Sequence, residues 1–199
     1  MERILYGKPI AEELDAKSKL IFTKFENGND RKPKLTAITV GDNPASLLYV
    51  SRKEEKAIEL GVEFNWIKLN KETSQKDLEE KVELSAKDSD GIIIQLPLPE
   101  HINPEEAINS IPYNLDVDGL TALNLGNLYS DQYKIIPATS LAILEMIKFY
   151  NIDTTDKNIV IAGRSRLVSS PLAKILSSDK YNSNVTAVSY THLRAHETV

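Results

Sequence analysis

The chain has no cysteine, which excludes a disulfide framework and any thiolate metal site. No apolar run approaches the ~20 residues that span a bilayer, and the first residues lack the apolar stretch of a signal peptide. Lys and Arg are dispersed along a chain of net charge -5, which argues against a nucleic-acid-binding surface. These absences predict a soluble, cytoplasmic protein that binds neither nucleic acid nor a membrane.

What is present is enough apolar sequence for a folded core. Residues of hydrophobic type make up 41% of 199 residues, which allows one large or two small domains. The first half alternates helical and strand patterns, and this alternation predicts a mostly parallel α/β sheet. The predicted elements are an amphipathic helix over 9–25 with Ile10, Leu14, Ile21 and Phe25 on its inner face, a strand over 35–40, a helix to about residue 60, a strand over 64–69, a helix capped by Thr73 or Ser74 with Leu78 and Val82 inward, and a strand over 91–96.

A second unit is predicted after a connection over 99–120. Its elements are a helix over 139–150 with Leu141, Leu144 and Ile147 inward, a strand over 158–162, a helix over 167–178 and a strand over 184–188. This βαβ pattern opens a doubly wound, Rossmann-like nucleotide-binding domain, which the chain leaves incomplete. Residues 189–199 do not continue the pattern and are interpreted as a non-native tail. His192 and His196 lie there four apart, but Leu193 stands where a zincin motif has Glu, and no metal site is predicted.

Three residues with chemically active side chains share one face of the second predicted helix. Ser46, Tyr49 and Lys53 are spaced three and four apart, so they fall on one side at helical periodicity. A partly desolvated Lys beside a Tyr can act in proton transfer. The alternative is a solvated, charged helix face, because residues 52–56 carry charges of both signs.

Two further polar groups stand near the ends of predicted elements. Gln95 closes the buried strand 91–96, at the sheet edge where α/β proteins usually bind ligands. It could equally satisfy loop backbone groups. Asp118 lies in an Asp-Gly turn, which is often only a turn. As a ligand group, its carboxylate could accept two N–H bonds from an amino-pyrimidine edge.

A possible phosphate-binding loop connects the strand over 158–162 to the following helix. Residues 163–171 read Gly-Arg-Ser-Arg-Leu-Val-Ser-Ser-Pro, a position suited to a pyrophosphate at a helix N-terminus. The G-x-G-x-x-G fingerprint is absent. Arg164 and Arg166 would suit the 2′-phosphate of NADP, or they are two ordinary surface arginines.

Taken together, these segments resemble the bifunctional methylenetetrahydrofolate dehydrogenase/methenyltetrahydrofolate cyclohydrolase family over residues 3–188. Four motifs in order carry the resemblance: Val40-Gly41-Asp42-Asn43-Pro44-Ala45-Ser46 with Tyr49 and Lys53, Gln95-Leu96-Pro97-Leu98-Pro99, Asp116-Val117-Asp118-Gly119, and Gly163-Arg164-Ser165 with Val168. The chain departs from the family in having Pro137-Ala138-Thr139-Ser140 for Pro-Cys-Thr-Pro, and Ser169 for the second glycine of the cofactor motif.

The resemblance implies a fold and a set of residue roles. It implies a folate-binding catalytic domain over 1–120 and a partial NADP-binding Rossmann domain over 121–188. Lys53 would be the catalytic residue of the cyclohydrolase, Tyr49 would stack on the folate and assist proton transfer, Gln95 would tune Lys53, and Asp118 would bind the pterin-like ring. Substrate would contact Ser46, Tyr49, Gln95, Leu96, Pro97 and Asp118, and cofactor would contact Gly163, Arg164, Ser165, Arg166 and Thr139.

The resemblance also implies the reactions. Methylenetetrahydrofolate would be oxidised to methenyltetrahydrofolate with NADP, and water would open the product to 10-formyltetrahydrofolate, in an enzyme that is a homodimer when full length. Two other interpretations stay open at the level of sequence: a different Rossmann dehydrogenase, and an inactive C-terminally truncated fragment of the folate enzyme.

Overall fold

The computed structural model describes residues 4–189. Their contacts divide them into two compact units, one formed by Ala11–Val117 and the other by the remaining described residues. The elements, in chain order, are α1 (Lys8–Asn29), β1 (Lys34–Val40), α2 (Pro44–Leu60), β2 (Glu63–Leu69), α3 (Gln75–Ala86), β3 (Gly91–Ile94), α4 (Pro104–Asn109), α5 (Ala122–Tyr129), α6 (Ala138–Phe149), β4 (Asn158–Ala162), α7 (Ser169–Leu176) and β5 (Asn184–Val188).

The first unit is built on a parallel sheet with strand order β2-β1-β3. Central strand β1 pairs with both neighbours, so its inward side chains are fully enclosed: Ile38 is completely buried. Against it pack Leu78 and Val82 of α3, the two residues expected to face inward. Ser74 caps α3 by accepting a hydrogen bond from the Asp77 N–H.

The free side of β3 is paired by a short segment that lies far along the chain. The Ile92 N–H donates to the Leu115 carbonyl at 2.7 Å, and Ile92 forms a parallel bridge with Asp116. Gly91 makes this approach possible, because a Cβ there would lie 2.6 Å from Cγ1 of Val117. Residues 115–117, which include the first half of the Asp-Val-Asp-Gly segment, therefore run against the sheet.

The second unit contains the predicted βαβ arrangement. Strands β4 and β5 pair in parallel and have the predicted bounds. The buried face of α7 packs with neighbouring helices in a core of Leu128, Leu144, Leu172, Ile175 and Leu176. The N-terminal segment belongs to this unit: the Tyr6 N–H donates to the Tyr150 hydroxyl, which donates to the Tyr6 carbonyl, both at 2.8 Å.

Several expectations about individual elements were wrong. Helix α1 runs on to Asn29, and of its expected inner face only Ile10 is buried, whereas Leu14 is exposed and Ile21 is 63% exposed. A 3.6-residue period identifies an apolar face but not the element that covers it. Leu141 of α6 is exposed for the same reason.

Other bounds also differ from those expected. Strand β3 stops at Ile94, and α7 is shorter at both ends than 167–178. Two helices were not anticipated. Asn103 begins α4 by accepting from the Glu105 and Glu106 N–H groups, and Thr121 caps α5 through the Asn124 N–H. Both helices are too short to show a clear period. No helix within residues 4–189 is long and apolar enough to cross a membrane.

Candidate active site and cofactor loop

The start of α2 is shaped by the loop that follows β1. Gly41 has φ +80°, a left-handed conformation that suits glycine, and its N–H donates to the Leu69 carbonyl. Asn43 then caps the helix by accepting the Ser46 N–H at 3.1 Å, and Pro44 occupies the first helical position. This turn directs the face of α2 that carries Ser46 toward the carboxyl edge of the sheet.

Lys53 and Gln95 meet across that edge. Lys53, on the second turn beyond Ser46 and only partly exposed, donates from Nζ to the Gln95 Oε1 at 3.2 Å. Gln95 is held in place by its backbone, because its N–H extends the sheet by donating to the Ile38 carbonyl at 2.9 Å. The amine thus meets a neutral amide oxygen, which accepts a hydrogen bond from both the charged and the neutral form of a lysine.

The orientation of the Gln95 amide is fixed from its other end. Nε2 of Gln95 donates to the Leu96 carbonyl at 2.9 Å, which leaves Oε1 facing Lys53. A rotated amide would turn its NH₂ group toward the lysine and its oxygen toward a carbonyl. The Ser46 hydroxyl donates to the same Leu96 carbonyl at 3.3 Å, so a continuous set of bonds runs from Ser46 through Leu96 and Gln95 to Lys53.

Tyr49 and Pro97 offer accessible surface beside this set of bonds. Tyr49 lies on α2 one turn from both Ser46 and Lys53 and is 58% exposed. Pro97 is exposed too, and the Leu96–Pro97 peptide bond is cis. A phenol and a proline ring open to solvent are suited to contact a flat apolar surface.

The neighbouring lysine on α2 has different surroundings. Lys56 donates to Asp15 of α1 at 2.8 Å and to Glu59 at 2.7 Å. Hydrogen bonds to these two carboxylates raise the pKa of Lys56 to about 12. Lys56 is therefore an ion-paired lysine that joins two helices, and Lys53 is the lysine directed at the sheet edge.

The two carboxylates of the Asp-Val-Asp-Gly segment have different environments. Asp116 is buried beside β3, whereas Asp118 is half-buried and begins the second compact unit. Gly119 follows with φ +68°, and a Cβ there would lie 3.1 Å from Cγ2 of Ile135. The ligand role expected for Asp118 stays a prediction.

The loop after β4 turns at a glycine that nothing larger could replace without strain. Gly163 has φ +143°, and a Cβ there would lie 2.6 Å from Oγ of Ser169. Within the loop, the Ser165 hydroxyl accepts the Val168 N–H at 3.2 Å and the Ser169 N–H at 3.5 Å. The Ser170 N–H donates to the Ser165 carbonyl. The first donors of α7 are therefore bonded within the loop.

Both loop arginines are exposed and border cavities in the second unit. Arg164 lines a cavity of about 390 Å³ with Lys174 and Ser170. Arg166 lines one of about 320 Å³ with Leu125 and Pro171. Guanidinium groups beside a glycine turn fit the phosphate groups of a dinucleotide.

The first turn of α6 holds two residues of unequal exposure. Thr139, expected to contact cofactor, is exposed. Ser140, which was not among the expected site residues, is completely buried and donates from Oγ to the Val168 carbonyl at 2.9 Å. No local pattern signals this contact because its partners lie 28 residues apart. The Asn43 cap was not predicted either, but it has a local signal that could have found it, an Asn-Pro pair before a helix.

Metal chemistry was not expected. Within residues 4–189, no three His, Asp or Glu side chains converge as metal ligands. The His192 and His196 pair lies outside the described residues.

Comparison with known proteins places the chain in a family. The model of the tetrahydrofolate dehydrogenase/cyclohydrolase catalytic domain matches residues 5–118, and that of the corresponding NAD(P)-binding domain matches residues 137–198. The chain therefore belongs to the tetrahydrofolate dehydrogenase/cyclohydrolase family, as the resemblance predicted. The two matched models also confirm the expected fold class, an α/β catalytic domain followed by a Rossmann-like domain.

Individual relatives agree with this assignment. The bifunctional protein FolD of Streptococcus sanguinis is 38% identical over 198 residues, which is 98% of this chain and 68% of that protein. A methylenetetrahydrofolate dehydrogenase from the silkworm Bombyx mori superposes with a TM-score of 0.91 at 35% identity, covering 98% of this chain and 72% of that one. The dehydrogenase-cyclohydrolase of Trypanosoma brucei, solved with NADP and an inhibitor, gives 0.89 at 26% identity, covering 95% and 65%.

Proposed function

We propose that the chain acts in one-carbon folate metabolism, with two successive activities. It oxidises 5,10-methylenetetrahydrofolate to 5,10-methenyltetrahydrofolate with NADP, and it hydrolyses that product to 10-formyltetrahydrofolate. Family membership supports the reaction class. The observation that carries the proposal is the Lys53 amine held at 3.2 Å from an oriented Gln95 amide.

Hydrolysis is the step in which Lys53 acts. The oxygen of a water molecule adds to the methenyl carbon, and the Lys53 amine takes a proton from that water. As the bond from this carbon to N5 breaks, the new hydroxyl loses its proton and becomes the formyl carbonyl on N10, N5 takes a proton from the Lys53 ammonium to become N–H, and one proton is released overall. Gln95 keeps Nζ aimed at the sheet edge, and Ser46 supports Gln95 through the Leu96 carbonyl. A positioned general base of this kind contributes about 10²- to 10⁴-fold.

The substrate rings are placed against the open part of the same edge. Tyr49 stacks on the folate and assists proton transfer, and Leu96 and Pro97 line the adjoining surface. Asp118 accepts hydrogen bonds from the amino-pyrimidine edge of the pterin, a pairing that suits a carboxylate. The exposure of Tyr49 and Pro97 supports these roles.

The cofactor residues lie in the second unit. A nicotinamide cofactor held by these residues would supply the hydride acceptor for oxidation of the methylene carbon. Gly163 forms the turn, Ser165 and Thr139 contact the cofactor beside it, and Arg164 and Arg166 bind phosphate. Two exposed guanidinium groups favour NADP over NAD, because the 2′-phosphate adds a dianion that they can pair with.

The proposed domains differ from the two compact units, since residues 4–10 and 118–120 group by their contacts with the second unit. A folate-binding catalytic domain takes residues 1–120 and a partial NADP-binding domain residues 121–188. We propose that the full-length protein is a homodimer, an inference that rests on the family alone. Folate derivatives are its small-molecule partners.

Hydrolysis of methenyltetrahydrofolate, followed by loss of its near-ultraviolet absorbance, tests the proposal. We expect Lys53→Met to lower the rate at least about 100-fold, since it removes the base. Arg52→Met is the matched control, because Arg52 is the exposed neighbour on the same helix, and it should keep the rate. Hydrolysis retained by a folded Lys53→Met variant would contradict the role of Lys53. No hydrolysis by the folded, unsubstituted chain would support the inactive-fragment interpretation.

A further inference from the structure

We propose that Ser140 of α6 is a positioning residue for the dinucleotide cofactor. Its hydroxyl fixes the Val168 carbonyl and thereby sets the shape of the loop over 163–168, which carries Arg164 and Arg166. The inference rests on the proposed cofactor binding, and it assigns that binding a residue that does not itself touch the cofactor.

The contact joins two helices that are distant in sequence. Ser140 is 0% exposed, and its Oγ donates to the Val168 carbonyl at 2.9 Å. The same carbonyl accepts the Leu172 N–H at 3.0 Å within α7. A serine in a first helical turn commonly bonds to its own backbone, but this hydroxyl is directed across to another element.

Val168 is the residue at which the loop becomes a helix. Its backbone, at φ -134° and ψ -64°, is neither extended nor helical. The Val168 N–H is held by the Ser165 hydroxyl, and the Val168 carbonyl is held by Ser140. Because both sides of this residue are fixed, the loop cannot rotate there without losing one of the two bonds.

Loop shape matters here because the donors at the start of α7 are already used. The Val168, Ser169 and Ser170 N–H groups are bonded to Ser165, so the proposed phosphate contacts rest on the loop itself, which carries Arg164 and Arg166. Pairing of a guanidinium with phosphate is bidentate and depends on orientation. A loop that samples other shapes has the phosphate-binding shape for a smaller fraction of the time. The apparent affinity for NADP then falls by that fraction.

Binding of NADP and of NAD to the whole chain, measured by titration calorimetry, tests the inference. We expect Ser140→Ala to weaken NADP binding about five-fold, the effect of one lost hydrogen bond. Ser183→Ala is the matched control. Ser183 is also buried and donates from Oγ to a carbonyl, that of Thr154, at 2.8 Å, but it precedes β5 at the opposite end of the strands. Both variants should lower the thermal midpoint similarly, and only Ser140→Ala should weaken NADP binding.

Equal NADP affinity in the two variants would overturn the positioning role while leaving the proposed function intact. Hydrogen exchange without cofactor gives a second, independent result. Ser140→Ala should accelerate exchange in residues 163–170 and leave residues 184–188 unchanged. If the unsubstituted chain bound no NADP, the proposed cofactor would fail. Exchange would then decide whether Ser140 controls the loop: acceleration would support this, and an unchanged rate would overturn it.

Discussion

Substitution of Gly91 by alanine is expected to destabilise the first unit through one identifiable overlap. The added Cβ would lie 2.6 Å from Cγ1 of Val117 and 3.4 Å from Cδ1 of Leu35. Carbon atoms pack best at about 3.5–4.0 Å, so Val117 must move by roughly 1 Å. Leu35 is in ordinary contact and needs little adjustment.

The loss of unfolding free energy depends on how easily the Val117 side chain and backbone can move. Valine is stiff at χ1, and leaving its rotamer costs about 0.5–1.5 kcal/mol; a backbone shift of the paired segment adds the overpacking cost, about 1–3 kcal/mol in well-packed sites. Val117 is 39% exposed, which allows partial relief. Alanine also restricts the unfolded chain, a gain of about 0.4–1 kcal/mol. The net loss should be about 1–2 kcal/mol.

Urea unfolding followed by Trp66 fluorescence measures this loss, because Trp66 is the single tryptophan and lies on β2 of the same unit. In a Val117→Ala background the overlapping atom is gone, and Gly91→Ala should be neutral or slightly stabilising. Gly28→Ala is the control, since a Cβ there meets nothing within 4 Å. If Gly91→Ala were equally destabilising with and without Val117, the steric reasoning would be refuted.

Two more predictions concern the first unit. Hydrogen bonds from Arg31, and then from the Lys34 N–H, lower the pKa of Asp90. A lowered folded-state pKa contributes stability above the unfolded value near 4 and loses it as pH falls through the folded value. Asp90→Asn should therefore cost about 1 kcal/mol at pH 7, and acid titrations monitored by fluorescence should show the two proteins converging below about pH 4. Leu78→Ala should cost about 2–5 kcal/mol in urea unfolding, because Leu78 is completely buried against the sheet; a loss under 1 kcal/mol would mean that the site collapses without a cavity.

Local sequence patterns predicted the strands well. Strands β4 and β5 have the expected bounds, because short runs of β-branched residues end at turn residues on both sides. Helices α4 and α5, which were not predicted, span only six and eight residues. Their N-cap residues were therefore the only local signal that could have indicated them. The exposed Leu14 and Ile21 show the other limit, because periodicity cannot tell which neighbouring element covers a face.

The sequence could predict the position of a site residue where that residue stands at the end of a strand, because parallel strands end at the same edge of the sheet. Gln95 was expected at the ligand-binding edge because it closes a buried strand, the resemblance implied that it acts on Lys53, and the two groups do meet. The Leu96 carbonyl, which links Ser46 to Gln95, was not predictable because a backbone acceptor has no sequence signature. The contact of Ser140 and the burial of Asp116 were not predicted for a related reason. Each residue is placed by pairing with a segment more than 20 residues away.

The two sets of contacts make the two proposed activities separable by substitution. The bonds from Ser46 to Lys53 form entirely within Ala11–Val117, whereas those that fix Val168 form entirely within the other unit. A change at Gly91 displaces the segment that leads to Asp118, so it should act on folate hydrolysis and leave the cofactor loop as it is. Ser140→Ala should do the reverse. In the proposed function, one network serves water addition and the other serves cofactor binding, and each contains a serine hydroxyl that fixes a backbone carbonyl: Ser46 with Leu96, and Ser140 with Val168.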